Sequence, residues 1–233
     1  MRRRITLTLS IFLLAIAQTS VYPQEFVTAG NVVDKIKNRF KEMKTYQADF
    51  KIVTEKTMAD SKRKKTTTSR GNVYYKKGGL VNFSFTQPSK DVIISNGKKM
   101  WIYINSLNAV GVQTLEGKGN VYNANTYEGL VSLFSRYHYY LQSHDQPVTI
   151  KGHPYYILVL KERVASGGFT DILLQVDAKS YLISSMEATS PQGKKVYLTF
   201  SKIVLDKELP NSLFQFKVEG STRVIEEPMT NLN

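Results

Sequence analysis

The sequence predicts a mainly β fold: one strongly curved antiparallel sheet of about eleven strands, with two amphipathic helices left over to cover it. Three observations predict it. From Thr45 onward, apolar and polar residues alternate with a period of two in run after run, the pattern of half-buried strands. Turn sequences such as Ser95-Asn96-Gly97-Lys98, Lys151-Gly152-His153-Pro154 and Ser190-Pro191-Gln192-Gly193 separate the runs, and consecutive strands joined by tight turns are antiparallel. Aromatic residues make up 11% of the chain, with 14 tyrosines, a composition that suits pleated sheet and not disorder.

The first element is a targeting signal. Arg2, Arg3 and Arg4 form a basic start, Ile5 to Ala17 is a short apolar run, and Ala15-Ile16-Ala17 is a small-residue cleavage pattern. A signal peptide over 1–17 is expected, with cleavage as late as about residue 24 as the alternative, followed by a single domain over 25–233. No later stretch is apolar enough to cross a membrane as a helix, so the mature chain is expected to be exported and soluble.

A helix follows over 31–44, with Asn31 as its cap and Asp34 three residues on. Val33, Ile36, Phe40 and Met43 recur at helical spacing and make an apolar stripe. The period then drops to two. Strands are expected near 46–57, 67–76, 80–86, 91–95, 99–105 and 109–115, and again near 147–151, 155–161, 169–176, 181–189, 194–203 and 213–218. Asn96-Gly97 reads as a two-residue hairpin turn with positive φ at both positions. Between the two sets of strands a second helix is expected over 126–137, with Leu130, Leu133, Phe134 and Tyr137 on one side.

Composition removes several function classes. The chain has no cysteine, so a disulfide framework, a thiolate metal site, a cysteine nucleophile and a lipidated N-terminal cysteine are all excluded. The formal net charge is +13, and loss of Arg2–Arg4 leaves +10. Such a surface suits nucleic acid, anionic lipid or acidic proteins, and export argues against nucleic acid. The basic run Ser61-Lys62-Arg63-Lys64-Lys65 reads as a solvated loop between strands, or as a loop drawn to a membrane surface. No catalytic or metal site is expected. His138, His144 and His153 lack metal-ligand spacing, no Gly-x-Ser-x-Gly elbow exists, and Gly78-Gly79 and Gly117-Lys118-Gly119 are turns without a strand-loop-helix context.

Apolar stripes remain. Val81, Phe83 and Phe85 share one face of a strand, as do Met100, Ile102 and Ile104, and Ile172, Leu174 and Val176. A sheet this wide, covered by two short helices, has either a collapsed interior or a cavity, and periodicity leaves both open.

The order of motifs resembles the periplasmic lipoprotein carrier family, the LolA-like proteins. The stretch 78–105 carries it: Phe83 within a strand, Gln87-Pro88, Val92-Ile93-Ile94, Asn96-Gly97-Lys98, then Met100-Trp101-Ile102-Tyr103. The stretches 181–203 and 209–218 resemble that family's C-terminal hairpin and its Leu-Pro…Phe-x-Phe ending. The resemblance implies an unclosed antiparallel barrel with helices as a lid, no enzymatic activity and no cofactor. It implies a periplasmic monomer that carries the acyl chains of lipoproteins from an inner-membrane lipoprotein-releasing ABC transporter to an outer-membrane acceptor. Carried over by position, the acyl-binding cavity would be walled by Phe40, Val81, Phe83, Phe85, Ile93, Leu130, Leu133, Phe134, Ile172 and Leu174. Three positions depart from the family pattern. Lys77-Gly78 stands where many members have Arg-Pro, which makes Lys77 the lid-latch candidate, although a lysine cannot form the planar fork of an arginine. Leu205-Asp206 stands where asparagine is common, and Lys217-Val218-Glu219 replaces a Pro-Pro-like segment. A lipid or glycolipid carrier, an envelope-stress lipid sensor on the same fold, and a periplasmic esterase are the competing readings.

Overall fold

The computed structural model describes residues 26–57, 63–115, 127–165 and 168–226. The expected signal segment and the Gly117-Lys118-Gly119 turn lie outside the described residues, as do Ser61, Lys62 and part of the 166–168 turn.

The first helix, α1, runs from Ala29 to Glu42. It starts earlier than expected because Thr28 is its cap and Asn31 is the third helical residue. The Asn31 N–H donates to Thr28 Oγ1 at 3.1 Å, and the Thr28 N–H donates to Asn31 Oδ1 at 2.9 Å. This reciprocal pair satisfies two otherwise orphaned donors, with Asn31 in the role usually taken by Glu or Gln. Val32, Val33, Ile36 and Phe40 form the buried stripe.

The described residues form thirteen strands in one sheet. They are β1 (Thr45–Thr57), β2 (Lys64–Lys76), β3 (Leu80–Gln87), β4 (Val92–Asn96), β5 (Lys99–Ile104), β6 (Ala109–Thr114), β7 (Tyr137–Leu141), β8 (Val148–Ile150), β9 (His153–Glu162), β10 (Asp171–Asp177), β11 (Ile183–Thr189), β12 (Lys195–Leu205) and β13 (Arg223–Glu226). The second helix, α2 (Tyr127–Arg136), precedes β7. The spatial order is β13-β6-β5-β4-β3-β2-β1-β12-β11-β10-β9-β7, with β8 also on β9, and every pairing except β13 with β6 is antiparallel. The sheet does not close: β13 and β7 are its two ends.

Most expected strands are present within a few residues of their expected ends. The differences have local causes. Part of the basic run is strand, since Lys64 and Lys65 pair with Thr57 and Lys56 of β1. The loop between β4 and β5 is Gly97-Lys98. Positive φ falls on Gly97 alone (86°), while Asn96 Oδ1 accepts the N–H groups of Lys98 and Lys99 at 3.0 and 2.8 Å. Residues 213–218 are not a strand. Pro210 is followed by a 3₁₀ turn (Asn211–Phe214) that buries Phe214 on the sheet's convex side. There the amide of Asn82 donates to the Leu213 carbonyl at 2.6 Å, and Phe216 meets the Tyr103 ring at 5.6 Å. Two strands escaped the periodicity. The tyrosine-rich β7 follows α2 without a link, and β13 has all four residues exposed and so no alternation to detect.

The sheet bends because its strands are irregular where it must turn. Register shifts occur between Gln47 and Asp49, between Arg70 and Gly71, and between Gln175 and Val176. Such bulges add local twist and curl a sheet. Gly71 is required at its bend: a Cβ there would lie 2.1 Å from the Ser84 carbonyl oxygen and 2.8 Å from the Phe50 ring. The missing side chain lets the Phe50 ring sit against Phe83 and Phe85, with centroids 5.4 and 5.0 Å away.

The concave face carries one core. Ala48, Phe50, Val73, Leu158, Leu160 and Val176 from the sheet are buried with the stripe of α1 and with Leu130 and Phe134 of α2.

Candidate functional site: an apolar cavity between sheet and helices

The core is incomplete under the last turn of α1 and under α2. A cavity of about 220 Å³ lies there. Phe40 of α1 with Leu130 and Leu133 of α2 forms the helical side. Tyr46, Phe83, Leu174, Met186, Leu198 and Phe200 form the sheet side, and Leu182 and Ile183 at the start of β11 complete the lining.

Strand register explains why these side chains meet. Leu174, Met186 and Leu198 are direct cross-strand partners on β10, β11 and β12, and Ile52 of β1 continues the row. Residues opposite one another in a ladder share a face, so four consecutive strands present one apolar band. Phe200 sits opposite Phe50, and its ring meets the edge of Tyr46 at 6.2 Å. Every lining side chain is hydrocarbon or thioether except one. The Tyr46 hydroxyl is the single oxygen or nitrogen atom that these side chains carry. It has no hydrogen-bond partner among the described residues, and burial pushes its pKa well above that of an ordinary tyrosine.

The residues expected from the sequence divide into two groups. Phe40, Phe83, Leu130, Leu133 and Leu174 line the cavity. Val81, Phe134 and Ile172 are on the same side of the sheet but inside the filled core, at 5%, 3% and 3% exposure. Phe85 is half-buried against Phe50 and Ile93 is half-buried opposite Phe83, and neither is part of the lining. Tyr46, Leu182, Ile183, Met186, Leu198 and Phe200 were missed. The alternation of β1, β11 and β12 was readable, but it does not say which face meets a hollow.

Lys77, the lid-latch candidate, is in the turn between β2 and β3. Its side chain is exposed and has no hydrogen-bond or ion-pair partner among the described residues, while its backbone N–H donates to the Lys44 carbonyl at 2.8 Å. Other residues fasten α1. Lys35 Nζ lies 5.0 Å over the Tyr181 ring and 3.4 Å from its hydroxyl, and Tyr181 stacks on Tyr156. At the end of the helix, the Lys44 N–H donates to Asp206 Oδ1 at 2.9 Å. That hydrogen bond holds the Asp206 carboxyl below the ordinary carboxylate range. Asp206 has φ of 54°, a left-handed conformation that asparagine and aspartate tolerate better than most residues.

His138, His144 and His153 are exposed, with His138 opposite Lys161 near one end of β9 and His153 at the other. Among the described residues no cluster of three or more His, Asp or Glu could hold a metal ion.

Comparison with known proteins gives a consistent assignment. The family described as outer membrane lipoprotein carrier protein LolA matches residues 41–217. An outer-membrane lipoprotein carrier protein of Coxiella burnetii (strain CbuK_Q154) is 24% identical over 185 residues, covering 79% of this chain and 82% of that one. Another, of Legionella pneumophila (strain Corby), is 25% identical over 221 residues, covering 94% and 98%. Among solved structures, an uncharacterized conserved protein of Thermus thermophilus superposes with a TM-score of 0.56 at 13% identity, over 85% of this chain and 98% of that one, a likeness of fold alone.

Proposed function

The chain belongs to the LolA family of outer membrane lipoprotein carrier proteins, and from that premise we propose that it is a periplasmic carrier that binds lipoprotein acyl chains in the cavity under α1 and α2. The carrier collects its cargo from an inner-membrane lipoprotein-releasing ABC transporter, delivers it to the outer membrane, and catalyses no covalent step. One observation supports the reading above the others: a cavity of about 220 Å³ whose wall is apolar at every position but one.

Energetics favour transfer over permanent capture. Each methylene moved from water into an apolar site contributes about 0.8 kcal/mol. Engineered apolar cavities of roughly 150 Å³ stay dry and take up benzene. The present cavity is therefore large enough for a segment of hydrocarbon but too small for the several chains of a lipoprotein. Binding whole cargo requires α1 or α2 to move outward and expose apolar surface, which offsets part of the gain from burial. The cargo is held firmly enough to cross an aqueous compartment and weakly enough to be released.

The test is incubation of the purified protein with inner-membrane vesicles that contain the transporter and a labelled lipoprotein. The expected result is an ATP-dependent soluble complex containing both proteins. Lipoprotein that stays in the vesicle pellet, with free lipid alone found on the soluble protein, overturns the assignment in favour of a lipid carrier.

A further inference from the structure

We propose that the Tyr46 hydroxyl is the polar anchor of the cavity and donates a hydrogen bond to the carbonyl oxygen of a neutral acyl ester in the bound ligand. The inference rests on the carrier reading and adds the chemical class recognised inside the pocket.

Tyr46 is 8% exposed and lies on the concave face of β1, one residue past its start. The edge contact with Phe200 fixes its ring. Its hydroxyl is the single hydrogen-bonding group that the lining side chains offer, and no described residue satisfies it. The hydroxyl oxygen is not fully buried, so it keeps some accessible surface from which to donate. Phenylalanine fills nearly the same volume, so packing alone does not explain the oxygen. Burial keeps the phenol protonated through the physiological range, and it therefore acts as a donor.

The surroundings narrow the acceptor. A pure hydrocarbon leaves the hydroxyl unsatisfied. A free fatty acid brings a carboxylate, and no lining side chain carries a positive charge to compensate for its desolvation. A neutral ester carbonyl satisfies the donor without introducing charge. Both diacylglyceryl lipopeptides and phospholipids carry this group, next to the hydrocarbon that the rest of the wall accepts.

The experiment measures displacement of a fluorescent fatty probe from wild type and Tyr46→Phe by matched pairs of ligands. One pair is a short-chain diacylglyceryl-cysteine lipopeptide and its dialkyl ether counterpart. The other is a phospholipid of the same chain length with its ether counterpart. One hydrogen bond of ordinary net strength favours ester over ether by about five- to tenfold in wild type. Tyr46→Phe is expected to bring that ratio to about one. A ¹³C-labelled ester carbonyl should absorb at lower infrared frequency in the wild-type complex than in the variant complex, which reads the same contact without comparing affinities. The lipopeptide pair binding more tightly than the phospholipid pair identifies the source of the ester. An ester preference that survives in Tyr46→Phe, or is missing from wild type, overturns the anchor while the cavity reading stands. Failure of every ligand to displace the probe overturns the cavity reading and the anchor with it.

Discussion

The beginning and the end of α1 lie on the same sheet and present the same apolar stripe, yet one end is packed solid and the other faces a hollow. Val32, Val33 and Ile36 are 0% exposed and belong to a contiguous core with Leu158, Leu160 and Val176. One turn later Phe40 faces the cavity, whose sheet side is made by Phe83, Met186, Leu198 and Phe200, each still half-buried. The hydrophobic pattern is common to both ends. What differs is whether side chains from the two layers reach far enough to fill the space between them, and the curl of the sheet at its bulges decides that. The filled end holds the fold together; the open end is where a ligand can be accommodated.

The strongest way to break the comparison is to charge the open end. Phe83→Glu places a carboxylate on the cavity wall, and binding of an acyl probe should fall below detection in a protein that remains soluble and folded by circular dichroism. Probe binding in that folded variant would mean that Phe83 does not face the ligand. Truncation at the filled end should act on stability instead. Ile36→Ala is expected to lower the free energy of unfolding by about 2–5 kcal/mol, read from urea midpoints. Leu133→Ala only enlarges an existing hollow and should lower it by about 1 kcal/mol. Equal losses at the two sites would mean the two ends are packed alike. Filling the hollow sharpens the contrast from the other side: Leu198→Trp should weaken probe binding about tenfold or more, with a change in stability of roughly 1–3 kcal/mol.

Smaller effects concern how α1 is fastened. The Asp206 carboxyl is held low by the Lys44 N–H, so its contribution is present above the ordinary carboxylate range near ~3.9 and is lost as pH falls through the lower folded-state value. In Asp206→Asn that component of acid destabilisation should be missing from a pH series of thermal melts, while the left-handed backbone is still tolerated. A melt profile identical to wild type below pH 4 would show that the carboxylate contributes nothing. Lys35→Ala removes an exposed cation–π contact worth about 0.5–1 kcal/mol, and its effect should appear first as faster release of bound probe.

These residues also mark how far the sequence could be read. Alternation located almost every strand of the sheet, because a strand with one buried face must alternate whatever its neighbours do. It placed Phe83, Leu174 and Val81 on the correct side. It could not separate Val81, which is packed into the core, from Phe83, which borders the cavity, because both point the same way and differ only in what they meet. Met186 and Leu198 were invisible as a pair because cross-strand register, not local pattern, brings them together. The fastening of α1 was hidden for another reason. Tyr181 takes a left-handed φ of 56° that the residue type disfavours, and the context of the turn alone sets it beneath Lys35. Lys77, chosen by position in a motif, contributes its backbone and not its side chain.

The last strand has a consequence of its own. β13 runs parallel to β6 and takes up hydrogen-bonding groups on the outer side of that strand, which would otherwise be a bare template for another chain. Shortening the protein before Arg223 would uncover β6 from Ala109 to Val112. The trimmed molecule should then self-associate edge to edge, seen as dimers and larger species by light scattering, although nothing in its interior has been changed.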